Sequence, residues 1–393
     1  MSIDRKVINY IRGQIPETSV QRILKAAEYI VEAKEKGKKV AAVVGSGPNL
    51  HEGVTTLIAE LIRKDIIDGV TTSSAVINHE MGGTLERVKR IRGTSIGIED
   101  SGLPADGFIE MSVIPSRLMD RYRKFPEIDM KLYRKMLRAE GNEIIKVAGN
   151  IAFPTGLYTE IVSRSILRTA IKNKVSFESV AGKGADERTM IGAAAKKGIP
   201  VLVSVPQLVG GGEVGLAIGD SIRISERSLK VAELIADADV IIESAIALTQ
   251  EIHDGPFETY TGHGIWKDYS GEWTYSLADK KIIRIDMDAN LENAWKRERT
   301  SKSVSMALDK GLPKTKQLKI PFRMEMSGFA RVPGSLPVIG DIGMCWPVLA
   351  AIVADRLDIS LDFMSYKQSL AAGREMREWI VKNIEPFDIE KIG

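Results

Sequence analysis

The sequence predicts an α/β protein built on a doubly wound, mostly parallel sheet, with helical additions at both ends. Three observations carry that expectation. Short apolar runs recur along the chain, and segments with helical spacing follow most of them. The first run, Val40–Val44, passes straight into Gly45-Ser46-Gly47-Pro48 and then into an amphipathic stretch over residues 54–62. Two later runs also end in glycine turns, at Gly210-Gly211-Gly212 and at Gly340. Parallel strands need crossovers, and intervening helices supply them.

Residues 1–37 carry helical periodicity through Ile8, Ile11, Ile23, Ala27 and Ile30, as one or two helices over a sheet edge or a subunit contact. After the opening unit, residues 66–72 read as a second strand, ending at Ser73-Ser74. Asn78, His79 and Glu80 stand at the start of the next element. Residues 93–142 are less regular, with a surface loop at 102–107 and a helix over 128–137. Residues 144–148 read as a short strand or a helix. Helical spacing covers 158–172 and 185–197, and Gly198 stops the second of these before the strand that opens at Ile199-Pro200. A helix over 229–236, a strand over 239–243, a polar stretch over 249–276 and a strand over 282–286 continue the alternation. Residues 287–327 carry no clear pattern. A strand at 336–341, a helix from Pro347 to Leu357 and an amphipathic helix over 365–383 close the chain. The organisation expected is a helical segment, 1–37, and one large nucleotide-binding domain, 38–393, that includes the C-terminal helix.

The chain has 393 residues, 44% hydrophobic and 27% charged, the mix of a soluble globular protein with a sizeable core. Its net charge is only +3, and the basic clusters at 89–92 and 121–124 contain apolar residues. They read as solvated helix faces, so no nucleic-acid partner is expected. Cys345 is the only cysteine, which excludes a disulfide framework and a cysteine-rich metal site. No apolar run approaches a membrane span, and the start lacks the apolar core of a secretory signal. A cytoplasmic protein without membrane contact is expected.

A strand, glycine turn and helix open Rossmann-like nucleotide-binding folds. Glycine lets the backbone approach a phosphate, and free N–H groups of a first helical turn attract its charge. In such sheets ligands lie at the carboxyl ends of the strands, a rule that gathers 45–51, 73–80, 207–213, 243–249, Asp286 and 340–345. The glycine turns there favour an extended anionic ligand such as NAD; simple turn geometry is the alternative. His51 and His79, the latter beside Glu80, suit proton transfer to or from an amine, or cap helices. His253, Asp254 and His263 fall in the polar stretch. No metal spacing is found. Cys345 reads as a packed small residue beside Trp346.

On these residues the chain resembles the deoxyhypusine synthase-like group of NAD-binding proteins. GSGPNLHEGV, IIDGVTTSSAV and AAAKKGIPVLVSVPQLVGGGEVG follow that fold's order from Gly45 to Gly215. GDIGMCWPVLAAIVADRL resembles its last strand, turn and helix. The resemblance spans residues 40–357. True deoxyhypusine synthases carry an active-site lysine in a Trp-Gly-Lys context before the final Asp-containing turn, whereas residues 326–341 hold none. The paired acids of that branch are replaced by Ile77 and Asn78, and the polyamine-binding aspartate is missing from QLVGGGEVG. The chain is more similar to archaeal-type NAD-dependent ornithine cyclodeaminases, also labelled lysine-oxoglutarate-reductase/saccharopine-dehydrogenase-like. Gly47-Pro48 and His51 match a Gly-Pro-x-x-His turn, and His79-Glu80 stands for His-Asp. Asp237–Val240, Ile285–Asp288 and Gly340–Gly343 resemble its remaining strand starts and ends. Glu80 in place of Asp, Met287-Asp288 in place of Asn-Pro, and the lack of a recognisable extra N-terminal domain are departures.

The resemblance implies NAD as an internal hydride store in a redox-neutral deamination or amine exchange on a small amino acid or polyamine. His51 or His79 would move protons, and Glu80 would orient a histidine or meet the amine. Gly45, Ser46, Gly47, Asn49, Ser73, Ser74, Gly211, Gly212, Asp286 and Asp341 would contact NAD, with no metal, in a homo-oligomer (dimer or tetramer). A deoxyhypusine or homospermidine synthase-like transferase without the usual lysine and a non-catalytic NAD-binding regulator are the alternatives.

Overall fold

A computed structural model describes residues 3–45, 47–149, 151–206, 211–245, 277, 279–287, 300–312 and 335–392. Six strands form one all-parallel sheet: β1 (Val40–Val44), β2 (Gly69–Thr72), β6 (Val201–Val203), β7 (Val240–Ser244), β8 (Lys281–Asp286) and β9 (Leu336–Ile339). Their order across the sheet is β6-β2-β1-β7-β8-β9. Counted by appearance in that sheet this is third, second, first, fourth, fifth, sixth, the order of two mononucleotide-binding halves. The expected α/β sheet with helical additions is therefore present. β1 and β7 are buried at every position, as parallel strands covered on both faces must be.

Residues 85–147 add a second sheet that the sequence reading did not resolve beyond its short strand at 144–148. β3 (Leu85–Arg92), β4 (Phe108–Ser112) and β5 (Gly141–Val147) pair antiparallel in the order β4-β3-β5. The basic cluster 89–92 lies on β3 and not on a helix. Leu85, Val88 and Ile91 are spaced like one face of a helix, yet cross-strand pairing with β4 and β5 decides the conformation. Ile91, Met111, Tyr133 and Met136 form a small core between this sheet and helix Met130–Arg138.

Elsewhere the differences are local. The stretch 185–197 is broken: helix Phe177–Gly184 ends, and Thr189 caps a new helix, Met190–Lys197. The helix after β9 starts at Ile342, with Pro347 inside it, because Asp341 caps the N–H of Gly343. The last helix is Ala371–Asn383; residues 365–370 are not helical. Two N-terminal helices, Arg5–Gln14 and Glu17–Glu35, are present, and the second covers the β9 edge. There Ser19 Oγ donates to the carbonyl of Ile339 and Arg22 to that of Pro337, satisfying an edge strand that would otherwise be open. The 249–276 stretch, with His253, Asp254 and His263, lies outside the described residues, as does most of 326–341.

Candidate functional site

The strand order changes direction between β1 and β7, and Gly45 leaves the sheet there. Its N–H donates to the Ser244 carbonyl at 2.9 Å. A Cβ at this position would lie 1.9 Å from the carbonyl oxygen of Ala245, so glycine is required by the neighbouring strand itself. Asn49 is bolted to the same strand: its Nδ2 donates to the Ser244 carbonyl, and Ser244 Oγ donates to its Oδ1 at 2.5 Å. Trp346 Nε1 donates to Ser244 Oγ at 2.8 Å, which ties helix Ile342–Arg356 into the same junction. Asn49, one of the residues expected at the cofactor, is bonded to β7 in this structure. Gly47 differs, since a Cβ there meets nothing within 4 Å among the described residues. The turn that follows is a single helical one, Gly47–His51, interrupted at Gly53 (φ +69°) before helix Val54–Arg63.

The other expected cofactor contacts divide in the same way. Ser73 Oγ accepts from Val76 N–H and caps helix Ser74–Met81, whose Ser74 is buried. The carboxylate of Asp341 accepts from Gly343 and lies 3.0 Å from Lys367 Nζ. Asp286 lies 3.5 Å from Arg284. Gly211 precedes helix Gly212–Ser221, and Gly212 has φ +55°, but Gly210 and Ser46 lie outside the described residues. Ser73, Gly211 and Asp341 follow the carboxyl ends of strands, and Asp286 is the last residue of β8, all on one side of the parallel sheet. The space beside Gly47 is open among the described residues, whereas Asn49, Ser73 and Asp341 each bond part of the fold.

The two histidines come together, although their helices leave different strands. His79 lies in the last turn of helix Ser74–Met81, not at the start of an element. Its Nδ1 lies 2.6 Å from the carbonyl oxygen of Ala148. A carbonyl only accepts, so Nδ1 carries the proton and Nε2 presents a lone pair. Burial pushes its pKa down to about 4, against the pull of the Ala148 bond, and His51 and Lys146 push the same way. His51 is half-buried, with Nδ1 3.4 Å from Arg377 Nη2. Arginine only donates, so here Nδ1 accepts and Nε2 carries the proton. Burial first, then Arg377 and Lys146, lower the pKa of His51 as well. Two neutral imidazoles of opposite tautomer therefore stand within electrostatic reach of each other.

Glu80 does not join them. Its two oxygens accept from the N–H groups of Met190 and Ile191 at 2.8 and 3.1 Å, so it anchors the helix that starts there. The expectation that it orients a histidine is not met. A different carboxyl stands nearby: Glu86 on β3 is buried, and burial raises its pKa to about 7 against hydrogen bonds from Ser112, Thr155 and Gly149 and the charge of Lys146. Asn78 is buried with no partner for Oδ1 among the described residues. Lys146, Glu86 and Arg377 were missed because they sit on elements whose pairing is long-range. Arg377 comes from the last helix, 326 residues from His51.

Cys345 is buried, and burial together with Asp341 raises its thiol to about 12, which makes it unreactive at neutral pH. Among the described residues no group of three or more His, Cys, Asp or Glu is placed to hold a metal. No described helix is long and apolar enough to cross a membrane.

No protein-family profile matches the chain, and no curated protein matches it in sequence. Solved structures resemble its fold. A LOR/SDH protein from Methanococcus maripaludis S2 is 12% identical, with a TM-score of 0.42, over 88% of this chain and 69% of that one. AgrE, crystallised as a ternary complex with ornithine and NAD+, is 11% identical with a TM-score of 0.41, over 91% of this chain and 34% of that one. ArgZ, an arginine dihydrolase from the ornithine–ammonia cycle in cyanobacteria, is 13% identical with a TM-score of 0.37, over 86% and 32%. The chain spans about a third of the length of AgrE and ArgZ. Likeness at this depth says nothing about substrate or cofactor.

Proposed function

We propose that the chain binds NAD at the carboxyl ends of β1 and β7 and catalyses a redox-neutral deamination or amine exchange on a small amino acid or polyamine, as an ornithine cyclodeaminase does. The observation that carries this reading is the pair of neutral histidines of opposite tautomer beside a sheet with dinucleotide-binding strand order. NAD, held beside the backbone of Gly47 and Gly211, would supply a reversible hydride acceptor there, so that the net reaction is redox-neutral. His79 Nε2 accepts the proton that the substrate ammonium must lose, and His51 Nε2–H returns one to the departing nitrogen. Asn78 Oδ1, buried and unpartnered among the described residues, accepts from the substrate nitrogen.

The test is release of NAD from the denatured pure protein, read by mass spectrometry, followed by incubation with candidate amines. Ammonia formed without net NADH supports the reading. NAD without any turnover favours a regulatory binder, and absence of NAD removes the cofactor. A transferase acting through a lysine is the second reading, favoured by Lys367, whose Nζ stands 3.0 Å from Asp341 after β9. Borohydride trapping with spermidine and NAD separates it: an adduct on any lysine would support the transferase.

A further inference from the structure

β4 is an edge strand of the small sheet, and its backbone groups point alternately to two sides. Gly93 N–H donates to the Gly107 carbonyl and Val113 N–H to the Arg87 carbonyl, so the odd-numbered residues of this stretch face β3. The even-numbered ones face the edge. There Phe153 forms an isolated parallel bridge with Met111: its N–H donates to the Glu110 carbonyl at 3.2 Å, and its carbonyl accepts from Ser112 at 2.7 Å. One step back along β4 the equivalent groups, the Phe108 carbonyl and the Glu110 N–H, have no partner among the described residues. Ile151, two residues before Phe153, is 76% exposed and makes no backbone bond to them. The unpaired stretch is one residue long, because Asp106 Oδ1 accepts from Phe108 N–H at 3.1 Å and Phe153 takes the Glu110 carbonyl. Paired residues of neighbouring strands share a face, so a residue opposite Ile109 would put its side chain on the Ile109 side. A pocket of about 480 Å³ lies there, with Ile96, Ile98, Ile109, Leu132, Met136 and Phe153 in its wall. That is the size and apolar character of a small-molecule site. Asp106, Glu110 and Arg90 also line it, and Arg90 Nη2 donates to Asp106 Oδ2 at 2.9 Å.

We propose that the β4 edge opposite Ile109 binds a free apolar L-α-amino acid, at a site separate from the histidine pair. Its nitrogen donates to the Phe108 carbonyl and its carboxylate accepts from the Glu110 N–H, as the backbone of Phe153 does one step further on. Its side chain enters the pocket beside Ile98 and Met136. The charges complement a zwitterion: the Asp106 carboxylate stands at the nitrogen end, and Arg90, opposite Glu110 in the strand register, at the carboxylate end. A longer chain does not fit at that second end, because Phe153 already occupies the edge. A peptide N–H at the first end would leave Asp106 without the ammonium it suits. This inference does not depend on the amine-exchange reading above.

The experiment is calorimetric titration of the full chain with L-leucine, L-isoleucine, L-methionine and L-phenylalanine. D-leucine, N-acetyl-L-leucine and 3-methylbutylamine are the controls; they change the hand, the ammonium and the carboxylate in turn. At least one of the four L-amino acids should bind, one per chain, with a dissociation constant of about 1 mM or tighter. Each control should bind at least about 10-fold more weakly than L-leucine, the loss of one charge-assisted hydrogen bond. Two variants locate the site, each first checked for a wild-type melting temperature. Ile98→Trp fills the pocket from a partly exposed wall and should abolish binding. Asp106→Asn keeps an acceptor for Phe108 N–H and should cut the preference for L-leucine over its N-acetyl form to less than about threefold. No binding of any of the four to wild type at about 1 mM would overturn the proposal. So would equal binding of D-leucine, of the amine or of N-acetyl-L-leucine, the last pointing to a peptide C-terminus instead. Undiminished binding to folded Ile98→Trp would place the amino acid elsewhere, and a preference unchanged in Asp106→Asn would remove the ammonium contact.

Discussion

Glu178 and Arg227 form an ion pair with both side chains fully buried beneath the carboxyl end of β6. Nη1 of Arg227 donates to Glu178 at 2.5 Å and to the Val203 carbonyl, and Glu178 accepts from the Val203 N–H. Nη2 reaches Ile218 and Ser221 in helix Gly212–Ser221. The pair therefore clamps the end of an edge strand to the helix that follows the glycine turn. Removing one partner leaves the other buried and uncompensated. Glu178→Gln or Arg227→Met should cost about 3–5 kcal/mol in urea unfolding, while Glu178→Leu with Arg227→Met should recover most of it. Additive losses in the double variant would contradict this.

His79 sets a pH dependence of known sign. Its folded pKa, about 4, lies below the ordinary 6.5. Between those values the unfolded chain holds a proton that the folded chain does not, so stability falls as pH drops through that window. Integrated, the effect is roughly 3 kcal/mol. His79→Gln retains a donor for Ala148 without the titration. The stability advantage of wild type over this variant should therefore shrink by about that amount from pH 7 to pH 4. A constant difference would mean that His79 is not buried neutral.

Glu86 acts in the opposite direction. Its carboxyl, raised to about 7, holds a proton in the folded state that the unfolded chain has already lost above 4.5. The associated stability is present below 4.5 and is lost as pH rises through 7. Glu86→Gln, neutral at every pH, should gain on wild type by about 1–3 kcal/mol between pH 5 and pH 8. Chemical denaturation at both pH values checks it.

Ser244 joins three elements. Ser244→Ala leaves Trp346 Nε1 and Asn49 Oδ1 buried without their partner. The expected loss is about 1–3 kcal/mol for each stranded group, read as a lower urea midpoint. A loss below about 0.5 kcal/mol would show that the junction repacks.

What was legible in the sequence is the large sheet. Val40–Val44 is a continuous apolar run because both of its faces are covered, and the same holds for residues 240–242 and 282–283. The small sheet was hidden because LERVKRIR carries charge on both faces, Arg87 and Lys89 beside Leu85 and Ile91, and Glu86 and Arg90 beside Val88, so no apolar period of two residues appears. His51 and His79 could be singled out from their positions after strands, but their tautomers depend on Ala148 and Arg377, which no local pattern indicates. The bonds of Asn49 to Ser244 were equally illegible. A polar residue after a glycine turn suits a ligand or a neighbouring strand equally, and only the pairing of β1 with β7 shows that Ser244 uses it.

The proposed dinucleotide site is the turn between β1 and His51. Gly47 tests it because a Cβ there would meet no described atom within 4 Å, unlike Gly45. Gly47→Val should fold with a wild-type melting temperature and still obstruct the backbone approach that a diphosphate needs. Equilibrium dialysis of NAD against wild type and Gly47→Val is the direct measurement. The account predicts saturable binding to wild type and at least a roughly 100-fold weaker affinity in the folded variant, about 2.7 kcal/mol. Unchanged NAD affinity in folded Gly47→Val, or no binding to wild type, would contradict it.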